Sequence, residues 1–313
     1  MLFIMKSFGD QNKVNNKAIK SNVQNKTSNK QIINQAIQFH LKGNISKATK
    51  YYQYLISQEC KHHVVFSNYG LILQNLGKLK DAEKSYRKAI EINPDFAQAH
   101  SNLGIVLNDL GKLKDAENSY RRAIEINPDF ADAHSNLGNV LRDLDNLEDA
   151  EKSYRRAITL NPNFAMANYN LGVVLNDLGK LEDAEKSYRR AIEINPGFAN
   201  AYSNLGVVLN DLGKLEDAEN SYRKAIALNP NFAMANYNLG IVLNDLGKLE
   251  DAENSYRKAI EINPDFADAY SNLGIILRDL GKLKEAESSP AKQLKLILIS
   301  QMLIASGKCI ERS

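Results

Sequence analysis

The 313 residues include no tryptophan, only ten phenylalanines, and only two cysteines, Cys60 and Cys309. So few large rings cannot fill the cores of the two ordinary domains that this length suggests, which favours many small stacked units. The cysteines lie far apart, so no disulfide framework is implied and a reducing, cytoplasmic setting is expected. No apolar run reaches the roughly 20 residues that span a bilayer, and Met1-Leu2-Phe3-Ile4-Met5 is too short for a signal-peptide core. No membrane partner is expected.

Charge of one sign is also missing where a nucleic-acid binder needs it. The formal net charge is +3, but residues 1–62 carry +8, residues 63–288 carry −8 and residues 289–313 carry +3. The body is mildly acidic, and a polyanion requires lysine and arginine clustered on the folded part. Nucleic acid is therefore not an expected partner. Residues 1–28 are rich in Asn, Lys and Ser and read as a disordered polar and basic tail, because they offer too little apolar surface to offset the entropy of ordering.

Proline is scarce, and its placement is informative. Six of the seven prolines, Pro94, Pro128, Pro162, Pro196, Pro230 and Pro264, recur at one constant interval, each in an Asn-Pro pair. They mark six full units, 63–96, 97–130, 131–164, 165–198, 199–232 and 233–266, and a partial seventh, 267–289. Residues 29–62 keep the register loosely through Ala36, Phe39, Gly43, Ala48 and Tyr52, and read as a divergent first unit. Within 97–130, Ala99, Leu103, Val106, Leu107 and Leu110 recur at helical spacing up to Gly111. Ala116, Tyr120, Ala123, Ile124 and Ile126 form a second helical pattern, which ends at Asn127-Pro128. Each unit is thus two helices. Gly104, Ala116 and Ala123 let them approach, and stacking of units buries what one hairpin leaves exposed.

Leu103-Gly104, Leu107, Ala116, Tyr120, Ala123 and Pro128 resemble the tetratricopeptide repeat (TPR) pattern, and the match recurs in every unit. Departures are His100, Asn168 or Tyr202 at the usual Trp, Leu107 at the usual Tyr, and Asp145 at the turn glycine. The resemblance implies an all-α fold, a right-handed TPR superhelix (α-solenoid) of about seven helical hairpins.

No constellation for catalysis emerges, so the chain is not expected to be an enzyme and no cofactor is expected. His100 and His134 occupy a position that Asn168, Tyr202, Asn236 and Tyr270 fill elsewhere, so the array does not require imidazole there. Cys60, His62 and His63 lack a fourth ligand at usable spacing, and no metal is assigned. The Leu-Gly glycines lie inside helices and cannot cradle phosphate. Carboxylates such as Glu216, Asp217 and Glu219 read as a solvated, salt-bridged face.

An asparagine precedes each Leu-Gly pair: Asn68, Asn102, Asn136, Asn170, Asn204, Asn238 and Asn272. A carboxamide offers a donor and an acceptor, as a bidentate bond to a peptide backbone requires. Alternatively it bonds a neighbouring helix, or it follows from repeat duplication. In the O-GlcNAc transferase type of TPR array, a ladder at this position holds extended polypeptide, and these seven residues match it position by position. The same helices carry Asn108, Asn176, Asn210 and Asn244, with Arg142 and Arg278 in equivalent places, followed by Asp109, Asp143, Asp177, Asp211, Asp245 and Asp279. The expected function is a non-catalytic scaffold that binds an extended polypeptide in its concave groove. The alternative is the truncated substrate-recruiting arm of a glycosyltransferase or another transferase.

Beyond residue 289 the pattern is lost, with Pro290 standing where Tyr256 stood one period earlier. Synonymous codons for Arg257 to Ala269, read one base downstream, encode Ala291 to Met302 without a mismatch. Codons for Leu137 to Leu144, read in the remaining frame, encode Ser306 to Ser313. Residues 290–313 therefore read as a frameshifted tail covering further repeats, and the chain as the front of a longer protein. The greasy replacement leaves the array uncapped, which implies self-association through its C-terminal end.

Overall fold

The computed structural model describes residues 20–282, with side chains from residue 29 onward. All regular structure among them is helical. The described residues divide into two compact units between Pro162 and Asn163. The first contains α1 (Lys20–Leu41), α2 (Ile45–Ser57), α3 (His63–Asn75), α4 (Leu79–Ile92), α5 (Ala97–Asp109), α6 (Leu113–Ile126), α7 (Ala131–Asp143) and α8 (Leu147–Leu160). The second contains α9 (Ala165–Asp177), α10 (Leu181–Ile194), α11 (Ala199–Asp211), α12 (Leu215–Leu228), α13 (Ala233–Asp245), α14 (Leu249–Ile262) and α15 (Ala267–Asp279).

Within each unit an odd helix pairs with the even helix that follows, and the even helix then packs on the first helix of the next hairpin. The result is an all-α stack of hairpins. Its core repeats with the sequence: Leu103, Val106, Leu107, Ala116, Tyr120 and Ala123 are buried, as are Leu205, Val208, Leu209, Ala218, Tyr222 and Ala225. The hairpin α1–α2 is closed by Ile33, Ala36, Ile37, Ala48, Tyr52 and Leu55, which join Val64, Val65 and Ile72 of α3.

α1 starts at Lys20, so residues 20–28, which the sequence assigns to the polar tail, lie in a helix. They lack apolar periodicity of their own. Once Ile33, Ala36 and Ile37 anchor the turn at the core, extending the helix backwards adds one hydrogen bond per residue with no new nucleus. Residues 1–19 lie outside the described residues, as do 283–313, which include the segment where the repeat register is lost.

The turns follow from local chemistry. In each Asn-Pro turn that follows α4, α6, α10, α12 and α14, the asparagine Oδ1 accepts the backbone N–H two residues on, at 3.2–3.3 Å. This Asx turn ends one hairpin and starts the next. Inside each hairpin the chain reverses through a left-handed residue, a glycine at Gly77, Gly111, Gly179, Gly213 and Gly247, but Asp145 at φ 60° between α7 and α8. The helical glycines serve another purpose. A Cβ on Gly206 would lie 2.7 Å from the Tyr222 ring, and one on Gly104 equally close to Tyr120. Glycine at these positions lets the tyrosine lie flat on the first helix.

In several hairpins a lysine just before the second helix reaches back to the preceding repeat. Lys112 Nζ donates to Glu83 at 2.8 Å, and Lys214 and Lys248 donate to Glu185 and Glu219 at 2.7 Å. These lysines, with Arg87, Arg189 and Arg223 on the same carboxylates, hold the three glutamates below the usual carboxylate range. Asn146 replaces the lysine at the α7–α8 turn and donates to Asp149 instead. Glu117, the equivalent carboxylate, pairs with Arg121 and Lys114 of its own helix.

Asp145→Gly removes a left-handed non-glycine residue and should raise stability by about 1 kcal/mol. Gly206→Ala should lower it by about 1–3 kcal/mol through overpacking, despite alanine's better helix propensity; thermal melts followed by circular dichroism check both. Because the folded pKa of Glu83, Glu185 and Glu219 is depressed, their contribution is present above the unfolded value of about 4.3 and lost as pH falls through the folded values. Each pair is partly exposed and contributes less than about 1 kcal/mol, so Glu185→Gln/Glu219→Gln should flatten the fall in melting temperature between about pH 5 and pH 3 only modestly.

Candidate functional site

On each first helix the residues four before, three after and seven after the ladder asparagine share its face, because these steps bring side chains back to nearly the same angle. A direct contact marks the face: Gln98 Nε2 donates to Asn102 Oδ1, one turn on, at 2.9 Å. In the second unit the face consists of Met166, Asn170, Val173 and Asp177 on α9, Asn200, Asn204, Val207 and Asp211 on α11, Met234, Asn238, Ile241 and Asp245 on α13, and Asp268, Asn272, Ile275 and Asp279 on α15. In the first unit α5 contributes Gln98, Asn102, Ile105 and Asp109, and α7 contributes Asp132, Asn136, Asn139 and Asp143.

The ladder asparagines are not free side chains on an open surface. Asn68 and Asn170 are buried, and Asn102, Asn136, Asn204, Asn238 and Asn272 are half-buried. Three of them donate to tyrosine hydroxyls of the preceding repeat. Asn68 Nδ2 donates to Tyr52 Oη at 3.1 Å, and Asn102, Asn204, Asn238 and Asn272 lie near enough to the hydroxyls of Tyr86, Tyr188, Tyr222 and Tyr256 to oppose the rise that burial imposes on them. Asn204 and Asn272 also donate to Tyr169 and Tyr237 at 3.1 and 3.2 Å.

The tyrosine hydroxyls act in both directions. Tyr86 Oη donates to Gln74 of its own hairpin at 3.0 Å, and Tyr154 Oη donates to Asn139 at 2.6 Å. Burial pushes the hydroxyls of Tyr52 and Tyr256 up to about 12, and those of Tyr86, Tyr120, Tyr154, Tyr188 and Tyr222 upward as well. They therefore stay protonated as donors and acceptors. The sequence carries the signal for this arrangement, since the residue is Tyr in every repeat where Phe would also fill the core, and a buried hydroxyl needs a partner.

The aspartate row lies on the solvent side of the same face. Asp109, Asp177, Asp211 and Asp245 are exposed, and none has an ion-pair partner among the described residues, whereas Asp143 and Asp279 pair with the adjacent Arg142 and Arg278. The second asparagine row is uneven: Asn108 and Asn210 have their Oδ1 atoms buried without a hydrogen-bond partner, Asn176 is half-buried and Asn244 is exposed. Sequence reasoning missed two features here. Met166 and Met234 stand 50% exposed beside the ladder. A cleft of about 570 Å³, lined by Phe96, Phe130, Gln98 and Asp132, opens at the Asn-Pro turns of the first unit.

The residues considered for metal or acid-base chemistry take structural places. His100 and His134 bond the Pro94 and Pro128 carbonyls at 2.9 and 3.0 Å. His62 stacks on His63, which meets the Phe96 ring edge-on, and burial lowers both histidine pKa values and raises that of Cys60. Among the described residues no group of three or more His, Cys, Asp or Glu could hold a metal ion, and no helix is long and apolar enough to cross a membrane.

The hairpin stack, with its Leu-Gly, Ala, Tyr, Ala and Asn-Pro positions, defines a helical-repeat protein. Models described as "Tetratricopeptide repeat" match residues 135–199, 199–232 and 221–254, and models described as "TPR repeat" match 70–111, 106–144 and 242–281. The chain belongs to the tetratricopeptide repeat family, which places it among protein-interaction scaffolds. Among solved structures it is similar to YrrB, described as a TPR protein with an unusual peptide-binding site, at 27% identity and TM-score 0.52 over 59% of this chain and 95% of that one. It is also similar to MamA, at 26% identity and TM-score 0.51 over 53% and 97%. PilF of Pseudomonas aeruginosa, at 20% identity and TM-score 0.60 over 67% and 95%, shares the fold. A search of curated proteins finds no match.

Tyr169→Phe/Tyr237→Phe keeps both rings but removes the acceptors of Asn204 and Asn272. Each lost bond should cost about 1 kcal/mol, read as a lower urea midpoint at unchanged helicity.

Proposed function

We propose that this protein is a non-catalytic scaffold that holds an extended polypeptide against the face of its first helices, with the ladder asparagines bonding the peptide backbone and the aspartates its side chains. The observation that carries the reading is the fixed orientation of the ladder. A tyrosine hydroxyl anchors the Nδ2 of Asn204 and of Asn272, so these side chains are held in place before any ligand arrives and little rotamer entropy remains to be lost on binding. YrrB, similar in fold and sequence, is described as having a peptide-binding site. Reading the array as the recruiting arm of a transferase rests on the ladder resemblance alone.

Because the asparagines also join repeats, stability and binding have to be separated. Labelled lysine-containing peptides in an extended conformation serve as probes in fluorescence anisotropy. Asn204→Ala/Asn238→Ala should weaken binding about tenfold or more, as expected for two lost backbone contacts of about 1 kcal/mol each. Tyr169→Phe/Tyr237→Phe should lower stability and, by freeing the two carboxamide rotamers, weaken affinity by no more than about threefold. Equal loss of affinity in both variants, or no loss in either, assigns the ladder a structural role only.

A further inference from the structure

In the second unit the repeats are not equivalent: they alternate with a period of two. α9 and α13 read Ala-Met-Ala-Asn-Tyr-Asn, while α11 and α15 read Ala-Asn-Ala-Tyr-Ser-Asn and Ala-Asp-Ala-Tyr-Ser-Asn. Each first helix thus carries one ring, placed alternately one and two residues before the ladder asparagine. Where the ring is adjacent, as in Tyr169 and Tyr237, it packs on the Phe of the next Asn-Pro turn, Phe198 or Phe266, at 4.7 Å. The freed position then holds an asparagine whose Nδ2 bonds the carbonyl four residues back, at Phe164 or Phe232. The same two helices carry the exposed methionines, which therefore stand two repeats apart.

Methionine is a flexible, polarizable side chain suited to adaptable binding surfaces, and half of each of these two is in water. Both lie on the N-terminal side of the ladder asparagine, whereas Asp177, Asp211 and Asp245 lie on the C-terminal side, exposed and without an ion-pair partner among the described residues. The face is therefore two-edged. One edge is acidic once per repeat, and the other is apolar once per two repeats.

We propose that the second unit selects extended basic polypeptides carrying two apolar side chains about six residues apart, which seat on Met166 and Met234 while lysine or arginine meets the aspartate row. The inference rests on the reading of this face as a polypeptide-binding surface. Successive first helices touch at their edges, so they lie about one helix diameter, roughly 10 Å, apart, and two repeats span about 20 Å, or about six residues at roughly 3.1–3.3 Å each. An even separation puts both apolar side chains on one edge of an extended chain, with basic residues free to turn to the other. In this unit the methionines occur on the helices whose ring is adjacent to the ladder asparagine, so sequence and packing alternate with the same period.

The test uses the full chain and two labelled 15-residue peptides of identical composition, rich in lysine, with two leucines six residues apart in one and three apart in the other. The six-residue spacing should bind about tenfold more tightly. Met166→Ala/Met234→Ala, which alters only exposed side chains, should abolish that preference with the melting temperature unchanged, and Asp177→Asn/Asp211→Asn/Asp245→Asn should weaken both peptides and reduce their salt dependence. Equal affinity for the two peptides, or a preference that survives loss of the methionines, overturns the proposed anchors. If binding is then still lost on Asn204→Ala/Asn238→Ala, the ladder reading stands without them; no binding of either peptide overturns both.

Discussion

The contact between a helical glycine and a buried tyrosine is the constraint on which the rest of the array depends. Because Gly206 has no side chain, the Tyr222 ring lies flat on α11, and its hydroxyl emerges at the joint with the next hairpin. An alanine there would bring a Cβ within 3 Å of the ring, so ring or helix would have to shift; the divergent first hairpin, with Ala36 at the equivalent position, still presents its Tyr52 hydroxyl to Asn68. In the regular hairpins the missing methyl group thus sets how closely the ring approaches the first helix, and with it where the hydroxyl reaches the next hairpin.

This coupling explains how a stack of nearly identical units can carry a polar surface without losing definition. Carboxamides on a solvent-facing helix ordinarily sample several rotamers. Here a hydroxyl that cannot ionise under ordinary conditions fixes them from behind. The lysine-to-glutamate pairs act at the turn edge, where Lys214 and Lys248 join successive repeats through partly exposed ion pairs. Hydrogen bonds within the polar seam and ion pairs at the turn edge therefore reinforce the same joints by different means. At the α7–α8 turn neither glycine nor lysine is present, and Asp145 and Asn146 leave a less supported hairpin in the first unit.

Much of the fold was legible in the sequence because its period is rigid. Asn-Pro at its constant interval located the ends of the second helices, and Leu-Gly with Ala, Tyr and Ala located the hairpin contacts. The start of α1 was not legible, since Lys20 to Ser28 show no apolar spacing and become helical only as an extension of the segment that Ile33 and Ile37 anchor. The ladder could be read as a row but not as a network. Asn204 and Tyr169 belong to successive repeats, and nothing in residue type tells whether a carboxamide faces a ligand or a hydroxyl of the preceding repeat. The methionines were passed over because, in a sequence, an apolar residue near a helix start looks like core.

The alternation of ring position has a consequence for how such a chain can change length. The hairpins from α3–α4 to α13–α14 carry the same glycine, tyrosine and ladder asparagine, so a gene that gains or loses one such unit still encodes a stack in which these joints are complete. The exposed surface is less forgiving, because one unit more or less brings two methionine-bearing helices together or sets them further apart. Recombination in steps of two units preserves both the joints and the surface pattern, so the functional quantum of this array is a pair of repeats, although its folding quantum is one.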